Sequence, residues 1–216
     1  MEFTLYMIKA CLALILFCGM YCLISGRDTF FSWKRVLLLS MLFFSALYPL
    51  WTITLSASAD YGLAGTLIND LPGYLLKEVT ISPDNRAITL FSPSRIILSI
   101  YGIGVAAFAI RMLIELISIS AIILRSESTV LQGKKVCVNT TIDTPFSFFN
   151  RIVINPQKHT ENELREILLH EETHVKGFHT VDTLVSELYC ILFWFNPFAW
   201  LMKREIRINL EYLADR

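Results

Sequence analysis

Three long apolar segments dominate the first part of the chain. They cover residues 3–25, 36–55 and 96–124, and the first holds Lys9 as its single charge. A bilayer core requires about 20 apolar residues of helix, so each segment is long enough to cross it. The pattern predicts three transmembrane helices. The first is expected to be retained, because it is longer than a signal-peptide core and no small-residue cleavage site follows it.

The third apolar segment carries two opposite charges. Arg111 and Glu115 are four residues apart, so on a helix they lie on one face and can form an ion pair. A charge inside a membrane is costly unless it is paired. The sequence therefore predicts a structural Arg111–Glu115 pair, with a functional role as the alternative.

Shorter elements follow after the third apolar segment. Two β-branched stretches, GKKVCVNTTI and NRIVINP, are bounded by Gly, Asn and Pro and predict two strands. Thr160 and Glu163 then form a capping box, the S/T-x-x-E pattern, immediately before an apolar run. The helix that begins there is expected to end near Lys176, with Gly177 as its C′ residue.

The pattern over residues 179–215 predicts a helical hairpin. An apolar stretch is followed by Asn196-Pro197, which breaks a helix. The two arms span about 25 Å and about 21 Å at 1.5 Å per residue, so their outer ends would meet. The aromatic tip, FWFNPFAW, is typical of an interfacial or membrane-embedded turn. The fold class is thus mainly α, with a transmembrane region over residues 1–124 and a second domain over residues 125–216.

Composition supports a membrane protein and argues against two other classes. The chain is 54% hydrophobic with a mean hydropathy of +0.53, and 19 basic residues balance 19 acidic ones. This balance creates no field that would attract nucleic acid, so membrane lipid is an expected partner and nucleic acid is not. Five cysteines, an odd number without a paired framework, argue against a disulfide scaffold.

Basic residues in the loops predict an orientation. Three lie within the short loop after the first segment, three are spread over residues 56–95, and seven lie over residues 125–182. Cytoplasmic loops are enriched in Lys and Arg. The N-terminus is therefore predicted outside a cell membrane, and the second domain on its cytoplasmic side.

The predicted capped helix contains an HExxH motif, His170-Glu171-Glu172-Thr173-His174. Residues i and i+4 differ by about 40° around a helix, so His170 and His174 can bind one metal ion. Glu171 would flank that ion and act as the general base, whereas Glu172 lies on the far side of the helix. The alternative is a helix with two solvated histidines and an acidic pair.

A catalytic zinc ion requires three protein ligands and one open position. Glu211 would complete a His₂Glu set with His170 and His174, which predicts Zn²⁺ as the cofactor. Asp215, one turn further on, could accept a hydrogen bond from the outer nitrogen of a ligand histidine.

Two further polar residues, His179 and Asp182, also lie near the motif. His179 could orient the substrate or stabilise an oxyanion. The alternative is that both are turn and helix-cap residues after Gly177.

These motifs together resemble the BlaR/MecR-type integral-membrane zinc metallopeptidases, a family of sensor-transducers. The matching segments over residues 144–215 are TPFSFF, HEETH, HTVD, WFNPFAW and EYLAD. The resemblance implies a zincin-like, gluzincin-type second domain with ligands at His170, His174 and Glu211 and a base at Glu171. It also implies cleavage of a cytoplasmic regulatory protein, such as a transcriptional repressor, or of the chain itself. Zinc-peptidase architecture further predicts that RIVINP binds substrate backbone at a free strand edge.

Two departures from the family limit what the resemblance implies. Such proteins usually continue into another transmembrane helix and an extracytoplasmic domain, so a chain that stops at Arg216 is expected to be a fragment. No SxxK serine motif of a penicillin-binding sensor is present, so β-lactam sensing is not implied. Two alternatives stay open: a Ste24/HtpX-like quality-control or processing peptidase, which would not predict the FNP hairpin, and a non-catalytic membrane transducer or scaffold.

Overall fold

The computed structural model describes residues 2–25, 30–50 and 93–215. Within them, helices dominate, and one small sheet lies between the third and fourth helices. The elements are α1 (Glu2–Ser25), α2 (Phe31–Leu47), α3 (Pro93–Leu124), β1 (Glu127–Leu131), β2 (Lys134–Val138), β3 (Phe146–Phe148), β4 (Arg151–Ile154), α4 (Glu161–Lys176), α5 (His179–Leu192) and α6 (Pro197–Ala214).

The first three helices are long and apolar enough to cross a membrane, as the sequence predicts. The candidate spans are Phe3–Leu23, Phe31–Leu50 and Arg95–Leu124. The second begins five residues before its predicted start, because the more polar residues before position 36 continue the helix. It ends in a 3₁₀ turn that contains Pro49, and its predicted last residues, 51–55, lie outside the described residues.

Helices α5 and α6 form the predicted hairpin, and it packs against α1 and α2. A buried hydrogen bond of 2.7 Å joins Ser45 of α2 to Tyr189 of α5. One apolar core joins the four helices and includes Leu14, Cys18, Leu38, Met41, Tyr189, Phe193, Met202 and Ile206. The hairpin is therefore an integral part of the membrane-helix bundle.

The tip of the hairpin lies beside the third membrane helix. Trp194 Nε1 donates to the carbonyl of Tyr101, 3.4 Å away, and its ring stacks near Phe108. Tyr101 is 23 residues from the end of α3, or about 35 Å of helix, so the hairpin runs back along most of α3. Helix α5 also exposes an apolar stripe: Val181, Val185, Leu188 and Leu192. Such a stripe is suited to contact with lipid.

The sheet has four strands where the sequence predicts two, in the order β1-β2-β4-β3. β4, the predicted edge strand RIVINP, is central: it pairs in parallel with β2 and antiparallel with β3. The prediction that RIVINP has a free edge is wrong. The outer position belongs to β3, in the PFSFF segment, whose three residues are too few to show a strand pattern in the sequence.

Helix α4 begins at the predicted capping box. Glu163 N donates to Thr160 Oγ1, and Thr160 N donates to a carboxylate oxygen of Glu163, which lowers the pKa of that carboxyl. The helix ends at Lys176, as expected. Gly177, however, has helical dihedral angles (φ −76°), and Phe178 takes the left-handed conformation that ends the helix (φ 53°). A left-handed backbone conformation is therefore not what requires glycine at position 177.

Candidate metal centre

Helices α4 and α6 bring three potential metal ligands together. His170 and His174 project from α4, and Glu211 from the last turn of α6. The Nε2 atoms of the two histidines are 3.2 Å apart, and Glu211 Oε2 lies 3.6 Å from the first and 3.8 Å from the second. The three atoms therefore surround one point at which a cation would contact all of them.

A zinc ion fits this arrangement. At bond lengths of about 2.0–2.2 Å and tetrahedral angles, the ligand atoms lie roughly 3.3–3.5 Å from one another. The separations of 3.2, 3.6 and 3.8 Å are close to that range. Two imidazoles and one carboxylate are also a donor set of catalytic zinc sites, in which a fourth position stays open.

The outer nitrogens of both histidines have partners. His170 Nδ1 lies 3.0 Å from Asp215 Oδ1, so the ring donates to a carboxylate and keeps the Nε2 lone pair free. His174 Nδ1 lies 2.8 Å from Nδ1 of His179 in the first turn of α5. For His174 to present Nε2 in the same way, its Nδ1 donates and His179 Nδ1 accepts.

The surroundings of His179 suit it to the role of acceptor. Its side chain is buried, and burial, together with the nearby His174 and Arg35, lowers its pKa to about 4. The ring is therefore neutral at physiological pH and keeps a nitrogen lone pair. It lies directly against Gly177, where an added Cβ would be 2.4 Å from His179 Nε2. Space for this ring is the reason for the glycine.

The two glutamates of the motif have different surroundings. Glu171 is buried, and among the described residues no other side chain forms a hydrogen bond or ion pair with its carboxylate. Glu172 lies 2.6 Å from Lys134 Nζ and 3.0 Å from Lys176 Nζ, and these two partners lower its pKa. Glu172 is thus ionised and paired, whereas the carboxylate of Glu171 is available next to His170.

A cleft of about 580 Å³ opens beside His174 and Glu211. Strand β3 forms one wall, and the membrane helix α3 forms another. Because β3 is the outermost strand, its outer edge pairs with no other described strand. The rest of the cleft is lined in part by charged residues: Arg111, Glu115, Glu187, Lys203 and Arg207. Arg111 and Glu115 form the predicted ion pair, with 2.9 Å between Nε and Oε1.

Comparison with known proteins identifies the family. The family model described as "BlaR1 peptidase M56" matches residues 6–216. The chain belongs to this family. It is also similar to the regulatory protein BlaR1 of Staphylococcus aureus, with 29% identity over 82 residues, which cover 35% of this chain and 14% of that protein. The chain therefore matches only a small share of the length of that relative.

Membership of the M56 family confirms the resemblance seen in the motifs, and it places the HExxH motif in a family of peptidases. With three apolar helices long enough to span a bilayer, the chain is a membrane member of that family. The match also favours M56 over the Ste24/HtpX-like alternative. The individual site residues and the identity of the metal stay predictions.

Two residues whose role the sequence left open have partners in the structure. His179 contacts His174, and Asp182 contacts Arg35 of the second membrane helix, 2.6 Å from Oδ2 to Nε. The available signal in the sequence was a histidine and an aspartate three residues apart at the start of an otherwise apolar helix. It could indicate burial, but it could not identify the partners.

Proposed function

We propose that the protein is an integral-membrane zinc endopeptidase that transduces a signal by cleaving a regulatory protein. The observation that supports this most is the convergence of three ligand atoms, His170 Nε2, His174 Nε2 and Glu211 Oε2, within 4.8 Å of one another. Asp215 and His179 orient the two rings from outside. A helix with two solvated histidines would not need both outer nitrogens to have buried or charged partners.

The residues of the proposed site have separate roles in peptide hydrolysis. Zinc, when bound, supplies Lewis acidity, which polarises a peptide carbonyl and lowers the pKa of water in the site. Glu171 accepts the proton of the attacking water and then delivers it to the leaving amine nitrogen. His170, His174 and Glu211 hold the metal, and the paired Glu172 takes no part in the reaction.

The substrate lies in the cleft as an additional strand. Its backbone pairs with the outer edge of β3, which brings the scissile carbonyl towards Glu211 and His174. This replaces β4 as the substrate-binding strand. The second domain is zincin-like in this proposal, because a metal-binding helix lies beside an edge strand that aligns the substrate.

The site faces the cytoplasm in this proposal, and the N-terminus lies outside. The basic residues over 125–182 support that orientation. A cytoplasmic regulatory protein is then the substrate, and a transcriptional repressor is the class that the family resemblance implies.

Metal content and cleavage of labelled casein by the detergent-purified protein test the function. Wild type should contain about one zinc per chain, and His174→Ala should lose it. Glu171→Gln should keep its zinc but cleave roughly 100-fold or more slowly, since a positioned general base contributes about 10²–10⁴ to the rate.

Glu172→Gln is the matched control, because it removes the adjacent carboxylate, which pairs with Lys134 and Lys176. It should bind zinc and cleave at close to the wild-type rate. Equal loss of cleavage in both variants would contradict the assignment of the base. Wild type without zinc or cleavage would support the alternative of a non-catalytic transducer.

A further inference from the structure

The side chain of Arg35 in the second membrane helix contacts the turn that follows the metal-binding helix α4. Arg35 lies in the first turns of α2, and its Nη2 donates to the carbonyl of Gly177 at 2.6 Å. Its Nε lies 2.6 Å from Oδ2 of Asp182 in the first turn of α5. One guanidinium thus contacts both sides of the turn that joins α4 to α5.

Each contact of Arg35 lies at a helix end whose partial charge favours it. The last carbonyls of a helix have no partner within the helix and carry partial negative charge, so a cation next to Gly177 O is stabilised there. Asp182 lies in the first turn of α5, where the partial charge is positive, and its side chain is 7% exposed. A carboxylate buried to this extent needs a partner, because losing one member of a buried pair is strongly destabilising.

The turn that Arg35 holds is the one that positions His179. Phe178 has the left-handed conformation, which directs the chain from α4 into α5. His179 follows directly, and its Nδ1 contacts Nδ1 of His174 at 2.8 Å. A shift of the turn by a fraction of that distance would break the contact and free the His174 ring to rotate.

We propose that Arg35 is a positioning residue of the metal centre, which makes the start of the second membrane helix part of the site. It fixes the turn at Gly177 and Asp182, so that His179 keeps the Nε2 atom of His174 directed at the metal. The inference rests on the proposed function in that it takes His174 as a ligand. A displacement of α2 would thereby change the metal site.

The test measures metal affinity, which does not depend on knowing the substrate. The zinc dissociation constant of the detergent-purified protein is determined by competition with a chelator for wild type, Arg35→Gln and Arg35→Lys. Arg35→Gln should bind about 10- to 100-fold more weakly, the range for loss of a group that orients a metal ligand. Arg35→Lys keeps the charge but not the two-armed geometry, so its loss should be smaller.

A double-mutant cycle separates positioning from a general loss of stability. If Arg35 acts through His179, Arg35→Gln should weaken zinc binding much less in a His179→Ala background than in wild type. An equal effect in both backgrounds would overturn the proposal. If Arg35→Gln does not fold, the same cycle is run with Arg35→Lys.

Arg165→Gln serves as the control for loss of a positive charge, because Arg165 lies on the exposed surface of α4. It should bind zinc like wild type. Wild-type affinity in Arg35→Gln would also overturn the proposal. Failure of wild type itself to bind zinc would instead count against the proposed function, so the two failures are distinguishable.

Discussion

At the scale of single residues, the space next to Gly177 matters more than its backbone conformation. A Cβ at this position would lie 2.4 Å from His179 Nε2 and 3.0 Å from the carbonyl oxygen of Thr173. Because the His179 ring is buried, it has little room to move away. We therefore expect Gly177→Ala to displace the ring from His174 and to weaken zinc binding about 10-fold or more.

The check is a comparison of zinc affinity in four variants: Gly177→Ala, His179→Ala, the double variant and His179→Asn. His179→Ala should lose a similar amount, and the double variant should lose little more than either one, since both changes break the same contact. His179→Asn should keep most of the affinity, because its amide oxygen can accept near the position of Nδ1. Additive losses in the double variant would show that Gly177 acts on something other than His179.

The proposed metal ligands could be predicted from the sequence where the spacing along one helix, or the lengths of the two hairpin arms, determine their positions. The four-residue spacing of His170 and His174 on a capped helix was sufficient to predict that they share a face. Glu211 could be predicted because the arms of the hairpin have nearly equal lengths. Arg35 could not, because its contacts join segments distant in the chain, and a basic residue at the end of a membrane helix is usually an interfacial anchor.

At the scale of elements, close packing between α3 and the hairpin tip depends on Gly104. A Cβ there would lie 2.2 Å from Cε2 of Trp194, whereas one at Gly102 would meet no atom within 4 Å. We expect Gly104→Ala to push the tip away from α3 and to destabilise the protein by about 1–3 kcal/mol, as overpacking usually does. Gly102→Ala should be neutral or stabilising, because alanine favours a helix over glycine.

Thermal unfolding in detergent, followed by tryptophan fluorescence, compares these two variants directly. Gly104→Ala should unfold at a lower temperature than wild type and show a changed emission spectrum, because Trp194 moves. It should keep its zinc but cleave more slowly, since α3 forms a wall of the cleft. Equal melting temperatures of the two alanine variants would show that α3 and the tip do not pack closely.

Long elements with a clear hydrophobic pattern could be predicted from the sequence, whereas short ones could not. The three apolar helices, the capped helix and the hairpin have ten or more residues each, so composition and helix breakers define them. β3 has three residues, and its place at the edge depends on which strands pair across the sheet. Sequence pattern does not specify strand order, so the free edge of the sheet was assigned to the wrong strand.

At the scale of the whole molecule, one end of the helix bundle carries the proposed metal site. The start of α2 contacts the turn after α4, and α3 leads directly into the sheet. Phe3 of α1 and Phe195 of the tip both contact Tyr101, near the start of α3, at the other end. The hairpin therefore enters and leaves the bundle at the end that holds the site.

This arrangement predicts which positions an impermeant thiol reagent reaches. Single cysteines are placed at Gln157, Asp215 and Tyr48 in a chain otherwise free of cysteine. Gln157→Cys and Asp215→Cys should be labelled only after cells are opened. Both lie at the end that holds the proposed site, and that end is cytoplasmic in the proposed orientation. Tyr48→Cys lies two residues from the far end of the second span, at the predicted outer interface, and should be labelled in intact cells.

Two labelling results would contradict this prediction, and each would overturn a different part of the proposed topology. If Asp215→Cys were labelled from outside and Gln157→Cys were not, the segment formed by α5 and α6 would cross the bilayer once, and Glu211 could not reach His170. If all three positions were reversed, the orientation drawn from the basic residues would be wrong and the metal site would be unaffected. Because Lys203, Arg204 and Arg207 lie in the returning arm, where translocation would be costly, we expect neither result.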